Sequence, residues 1–226
     1  MCFNATASMG AFLVGLISLG FILQRKMYAF GMFYTSVFAM QLAEYFAHIS
    51  LNTHDKQLNK WSATSAMIIT YIQPVLWSLY NATYVVEDKY VSNIIYVAVV
   101  LFTLFALFFY NYINERNGMK IGKLLPKCSS SFCRLDWSFF RENIILSVVW
   151  LFFYFFLFLY TNLAIRTGPY SVFSVLPVLL GMSIVYMIVV DKIKDNQSMV
   201  SGFGSLWCIA AVSVGPLVLA YPSISM

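Results

Sequence analysis

Hydrophobic residues in this chain fall into seven long blocks, at approximately 5–23, 28–51, 61–86, 90–113, 143–164, 170–190 and 200–221, with short polar connections between them. Each block is near the ~20 residues that an α-helix needs to cross the hydrocarbon core of a bilayer. A backbone in lipid must satisfy its own polar groups, which a helix does. The pattern predicts an all-α fold, a seven-transmembrane helix bundle. Only the connection 114–142 is long, and no linker separates two domains, so residues 1–226 read as a single transmembrane domain.

Polar residues inside the blocks follow helical spacing. In the second block Gln41, Glu44 and His48 lie at offsets of three and seven, on one helical face. Glu44 carries the only acidic side chain well inside any apolar run. The third block is the most polar: Thr70, Gln73, Trp77, Tyr80, Tyr84 and Glu87 recur at spacings of three or four. Gln73 directly precedes Pro74, whose ring frees the carbonyl one turn back, at Thr70, and kinks the helix. The first block has Ala11 and Gly15 one turn apart, and the last has Ser201/Ser205 and Ala211/Gly215. Small residues at this spacing let helix backbones approach, so these two blocks are expected to be well buried. The fourth and fifth blocks, rich in Phe and Leu, have the texture of lipid contact, and Tyr110, Tyr112, Trp137, Tyr160 and Tyr170 near block ends suit aromatic belts. Pro177 and Pro216 break the sixth and seventh blocks, either as simple kinks or as discontinuous helices around a binding site.

Composition agrees with the membrane class. The chain is 61% hydrophobic and only 10% charged, where soluble domains carry about 25% charged residues. The net charge of +5 does not point to nucleic acid, because the basic residues lie between apolar runs. They report topology instead. One set of connections holds ten Lys and Arg (Lys56, Lys60, Arg116, Lys120, Lys123, Lys127, Arg134, Arg141, Lys192 and Lys194), and the other holds four (Arg25, Lys26, Lys89 and Arg166). The N-terminus is therefore expected in the cytoplasm and the C-terminus on the opposite side. Sequons at Asn4, Asn81 and Asn196 fall on both sides and decide nothing. The first block lacks the basic leader and downstream small-residue site of a cleaved signal peptide and is kept as a helix. The 114–142 connection, with basic residues beside Leu135, Trp137, Phe139 and Phe140, reads as an amphipathic segment on an anionic leaflet, with Cys128 and Cys133 open to acylation.

The residues exclude several chemistries. A retinal Schiff base needs a lysine in a late helix, and blocks five to seven have none. Bis-histidine haem and three-histidine zinc fail because the chain has only His48 and His54. Gly202-Phe-Gly204-Ser205 lacks the spacing of a nucleophile elbow. No cofactor and no metal is expected. Glu44 remains. A carboxyl inside the bilayer is costly and commonly marks an ion or proton route. Gln41, His48, Gln73, Tyr71 and Trp77 are its candidate companions. The plain alternative is that Glu44 hydrogen-bonds Gln73 and locks the second and third helices together.

The ends of the chain carry a resemblance. Met1-Cys2-Phe3-Asn4-Ala5-Thr6-Ala7-Ser8, the Gln41/Glu44 pair, Gln73-Pro74 and Trp207-Cys208 resemble the short motifs of a family of small polytopic membrane proteins with bacterial, microalgal and large-DNA-virus members. Those open Met-Cys-Phe-Ser-Ala-Thr-Ala-Ser or with a Met-Cys-Trp-Asn variant; Asn4 replaces the Ser of the first form, and Tyr45 the Gly after the Glu. The resemblance implies no activity. It nominates Cys2, Asn4, Trp207 and Cys208, with Gln41, Glu44 and Gln73, for one shared site.

Three functions fit. The first is a transporter or channel for a proton, cation or small solute, built on an intramembrane Glu/Gln site. The second is an intramembrane lipid-modifying enzyme with Glu44 as acid/base and Cys2 or Cys208 as nucleophile. The third is a structural or assembly subunit. Membrane lipids are the expected partners, with a homo-oligomer left open.

Overall fold

The computed structural model describes residues 5–116, 121–124, 135–137 and 143–165, together with Val212, Gly215 and Pro216. Five helices dominate: α1 (Ala5–Gln24), α2 (Tyr28–Thr53), α3 (Lys56–Tyr84), α4 (Lys89–Arg116) and α5 (Ile144–Ala164). They match the first five hydrophobic blocks to within a few residues. The sixth block, and all of the seventh except those three residues, lies outside the described residues. By length and composition α1, α4 and α5 are long and apolar enough to cross a membrane. That is the character of a membrane protein. At 26 and 29 residues α2 and α3 are longer than α1, and among the described residues they carry most of the buried polar side chains.

The chain reverses in very short turns. His54 ends α2 in the left-handed region (φ 56°), and the Asp55 N–H reaches back to the Ser50 carbonyl. Asp55 then caps α3 by accepting from the N–H groups of Gln57 and Leu58, each at 2.9 Å. This cap starts α3 five residues before the hydrophobic block does. Asn143 caps α5 in the same way and donates to the Tyr112 hydroxyl of α4.

Between α4 and α5 the chain forms a short antiparallel pair, β1 (Ile121–Leu124) and β2 (Leu135–Trp137), in contact with α3 and α2 respectively. Leu135 and Trp137, two apart and so on one face of β2, are fully buried. The expectation that they lie along a leaflet, with Trp137 in an aromatic belt, is corrected here. Pairing satisfies the strand backbones and lets alternate side chains enter the core.

One hydrophobic core runs through all five helices. α2 is its centre: apart from Tyr28, Met32, Thr35, Phe46 and the residues at its end, its described side chains are buried or half-buried. α1, expected to be well buried, is not. Only Ser8, Gly15, Ser18 and Ile22 are buried, in a stripe at spacings of seven, three and four, while Ile17 is 63% exposed. It approaches α2 closely at Gly15, where a methyl group would overlap the Phe38 side chain, and again at Gly31 of α2, which lies against Leu19 and Leu23. α4 buries Ser92, Ile95, Val99, Phe102, Ala106, Phe109 and Ile113, an alternation of three and four that continues through the helix. Phe102 and Phe109 therefore pack inward against Trp150 of α5, with ring centroids at 5.1 and 5.6 Å, whereas Phe108 and Phe152 face outward. The Phe-rich texture thus divides between core and periphery by helical phase.

Candidate functional site

On α2, Gln41 and Glu44 are fully buried and His48 is 5% exposed. Each is engaged by a neighbour within the protein. The predicted shared face is real in its burial. It lies in the half of α2 nearer the His54–Asp55 turn, with small residues on both sides of the α2–α3 contact: Ala43 and Ala47 on α2, Ala63 and Ala66 on α3, all buried. Alanines let the two backbones approach, which leaves the larger polar side chains little room to reorient.

Two hydrogen bonds set the register of α2 against α3. Asn59 donates to the Ser50 hydroxyl at 3.2 Å, and Gln73 donates through Nε2 to the Ser36 carbonyl at 3.3 Å. Both agree with one antiparallel alignment, which puts Glu44 level with Ser65 and Ala66. Gln73 lies level with Ser36, ~12 Å along the axis from Glu44 at 1.5 Å per residue.

Gln73 therefore belongs to a different constellation. It is fully buried, and its carbonyl accepts a 2.6 Å hydrogen bond from the Tyr154 hydroxyl of α5. One amide thus joins α2, α3 and α5. The alternative in which Glu44 hydrogen-bonds Gln73 gives way to this three-helix junction, because the register separates the two side chains. A seam of further bonds continues from it. Trp77 donates through Nε1 to Asn162 at 3.2 Å, Ser78 donates to the Leu157 carbonyl at 3.2 Å, and Thr161 donates to Ser78 at 2.9 Å. Tyr71 points elsewhere: its hydroxyl meets Thr103 of α4 at 2.6 Å and its ring lies 5.3 Å from Phe102. So the structure keeps Gln41, Glu44 and His48 on one face and assigns Gln73, Trp77 and Tyr71 to helix–helix joints. Cys2, Asn4, Trp207 and Cys208 lie outside the described residues.

The polar face of α3 also follows a different line from the one expected. Thr70, Gln73, Trp77, Ser78 and Asn81 are buried, while Tyr84 is 74% exposed. Asn81 donates to the Trp77 carbonyl at 2.8 Å and is buried, so a glycan on this asparagine would not fit the folded packing. On α5, Tyr154, Thr161 and Asn162 were not anticipated. The signal was present: Ser147, Trp150, Tyr154, Leu157 and Thr161 repeat at three and four within the Phe-rich run, and are buried.

A second unanticipated joint involves Tyr34 of α2. Its hydroxyl donates to the Val212 carbonyl at 2.7 Å, and its ring fills the space beside Gly215 that a side chain would occupy. Among the described residues no group of three or more His, Cys, Asp or Glu could hold a metal ion. Comparison with protein-family models, curated proteins and solved structures finds no match for the chain.

Proposed function

We propose that this chain is a multi-pass integral membrane protein of seven helices, N-terminus cytoplasmic, that transports or conducts a proton, a cation or a small solute. Glu44 would be the group that takes up the cargo. The observation that supports this most is the burial of a carboxyl, an amide and an imidazole along one face of the most enclosed helix. In a bilayer such groups face the bundle interior and mark pathways. A carboxyl there exchanges a proton or a cation as water reaches it, with Gln41 and His48 one turn away on either side as neutral ligands or relay. The exposed apolar flanks of α1, α4 and α5 are the surfaces offered to lipid.

The test is flux in proteoliposomes loaded with a pH-sensitive dye, with potassium and sodium gradients as alternative drivers. Wild-type protein should carry flux, and Glu44→Gln should abolish it while helicity and thermal midpoint stay close to wild type. Flux that is unchanged in Glu44→Gln overturns the proposal. The Gln73 junction favours a second reading, an assembly subunit whose polar groups join helices. On that reading wild-type protein carries no flux, and Glu44→Gln only lowers the thermal midpoint.

A further inference from the structure

α3 begins five residues before its apolar block, and that extension is basic on its outer side. Lys56 and Lys60 lie one turn apart, both are exposed, and the first turn of the helix holds no acidic residue. Like charges one turn apart repel, and the positive end of the helix dipole adds to the cost. Asp55, beside them in sequence, turns its Oδ1 to the backbone N–H groups of Gln57 and Leu58. Neither ammonium group has an ion-pair or hydrogen-bond partner among the described residues. The fold thus sets two cations together and pairs neither. Apolar surface adjoins them. Trp61, next to Lys60, is 62% exposed, and Ile68, two turns further along the same face, is 48% exposed. Trp61 too has no ring or hydrogen-bond partner among the described residues. The opposite side of these turns is closed, because Asn59, Ser62, Ala63 and Ala66 are buried and Asn59 is held by Ser50. Packing of α3 on α2 therefore fixes the outward direction of the lysines and of Trp61.

We propose that Lys56, Lys60 and Trp61 form a docking patch for an anionic phospholipid, with its phosphate at the two ammonium groups and an acyl chain along Trp61 and Ile68. The ligand must be anionic at one end and apolar over the next ~10 Å, the length that seven residues of helix span. A phospholipid has its groups in that order. A free phosphate satisfies the lysines alone and leaves the strip from Trp61 to Ile68 bare. Lysine stems lie along apolar surface while their ammonium groups reach the headgroup level, and tryptophan settles at the same boundary. The patch rests on the proposed reading in which α3 crosses the bilayer, and it does not depend on transport. It puts contact with an anionic leaflet on the start of α3, whereas Leu135 and Trp137 of the 114–142 connection turn into the core.

The experiment uses the full chain in mixed vesicles of phosphatidylglycerol and phosphatidylcholine, with one or the other brominated along its acyl chains. The Trp61 signal is the fluorescence of wild type minus that of Trp61→Phe, and its quenching gives the relative binding constant of the two lipids. A lysine near an anionic surface contributes about fivefold in binding, so two should favour phosphatidylglycerol on the order of tenfold or more. Lys60→Gln should lower that preference about fivefold, Lys56→Gln added to it should bring parity, and Lys60→Arg should preserve it. Equal quenching by the two lipids in wild type overturns the patch and leaves α3 in the bilayer. No quenching by either removes the seven-span reading and the patch with it. Sodium phosphate that abolishes the preference, where sodium chloride of equal ionic strength does not, identifies a free-anion site and also overturns the proposal.

Discussion

Replacing Gln73 by leucine tests whether this residue is a joint between helices or a ligand in a pathway. The side chain is fully buried and holds two partners on two other helices. The 3.3 Å bond to the Ser36 carbonyl is at the long end of the range and contributes little, about 0.5 kcal/mol. The 2.6 Å bond from Tyr154 is short, and its loss leaves a buried hydroxyl without its acceptor, at a cost of about 1–3 kcal/mol. Interhelical bonds measured in membranes average about 0.6 kcal/mol and reach about 1.7, which pulls the estimate toward the lower end. Leucine fills a similar volume, so no large cavity term is added. Gln73→Leu is therefore expected to destabilise by about 2 kcal/mol, and Tyr154→Phe by about 1 kcal/mol. The double variant should cost clearly less than the two singles together, with a coupling of about 1 kcal/mol, because each single change strands the other's partner. Reversible unfolding in mixed micelles, monitored by circular dichroism, reads all three. Additivity within about 0.3–0.5 kcal/mol would refute the junction.

The remaining expectations are local. His54→Gly removes the left-handed strain of a residue with φ 56° and should stabilise by about 0.5–1 kcal/mol, seen as a higher denaturation midpoint. Asp55→Ala strips the two 2.9 Å caps from α3 and should cost about 1 kcal/mol in the same assay. Two glycines of α1 should respond with opposite signs. Gly15→Ala forces Phe38 to move and destabilises by about 1–3 kcal/mol, while Gly10→Ala, with nothing within 4 Å of the new methyl, stabilises by about 0.5–1 kcal/mol. Equal signs would mean that α1 does not meet α2 at Gly15.

The positions of the first five helices were legible from hydrophobic blocks alone, because a run of twenty or so apolar residues has few other solutions. The face shared by Gln41, Glu44 and His48 was legible for the same reason: helical phase is arithmetic, and the three are buried together. Register between helices was not. Whether Gln73 reaches Glu44 or Ser36 depends on a slide of α3 along α2 that neither helix encodes by itself; the His54–Asp55 turn and the Ser50–Asn59 bond set it. The α5 partners were hidden by their surroundings. Tyr154 and Thr161 sit in a run so rich in Phe and Leu that average hydrophobicity masks their stripe, which only the three-four spacing exposes. The burial of Leu135 and Trp137 had no signal in a connection dominated by basic residues.

The brevity of the His54–Asp55 turn bears on how the protein is made. On the proposed seven-span reading, α2 and α3 would carry Gln41, Glu44 and Gln73 into the bilayer, where an acidic side chain at the centre is penalised by about 2.5–3.5 kcal/mol. Two connecting residues tie the helices together. On that same reading they would enter as a pre-paired hairpin, and lesions at the turn would surface as failed biogenesis in the cell before they surface as lost stability in the test tube.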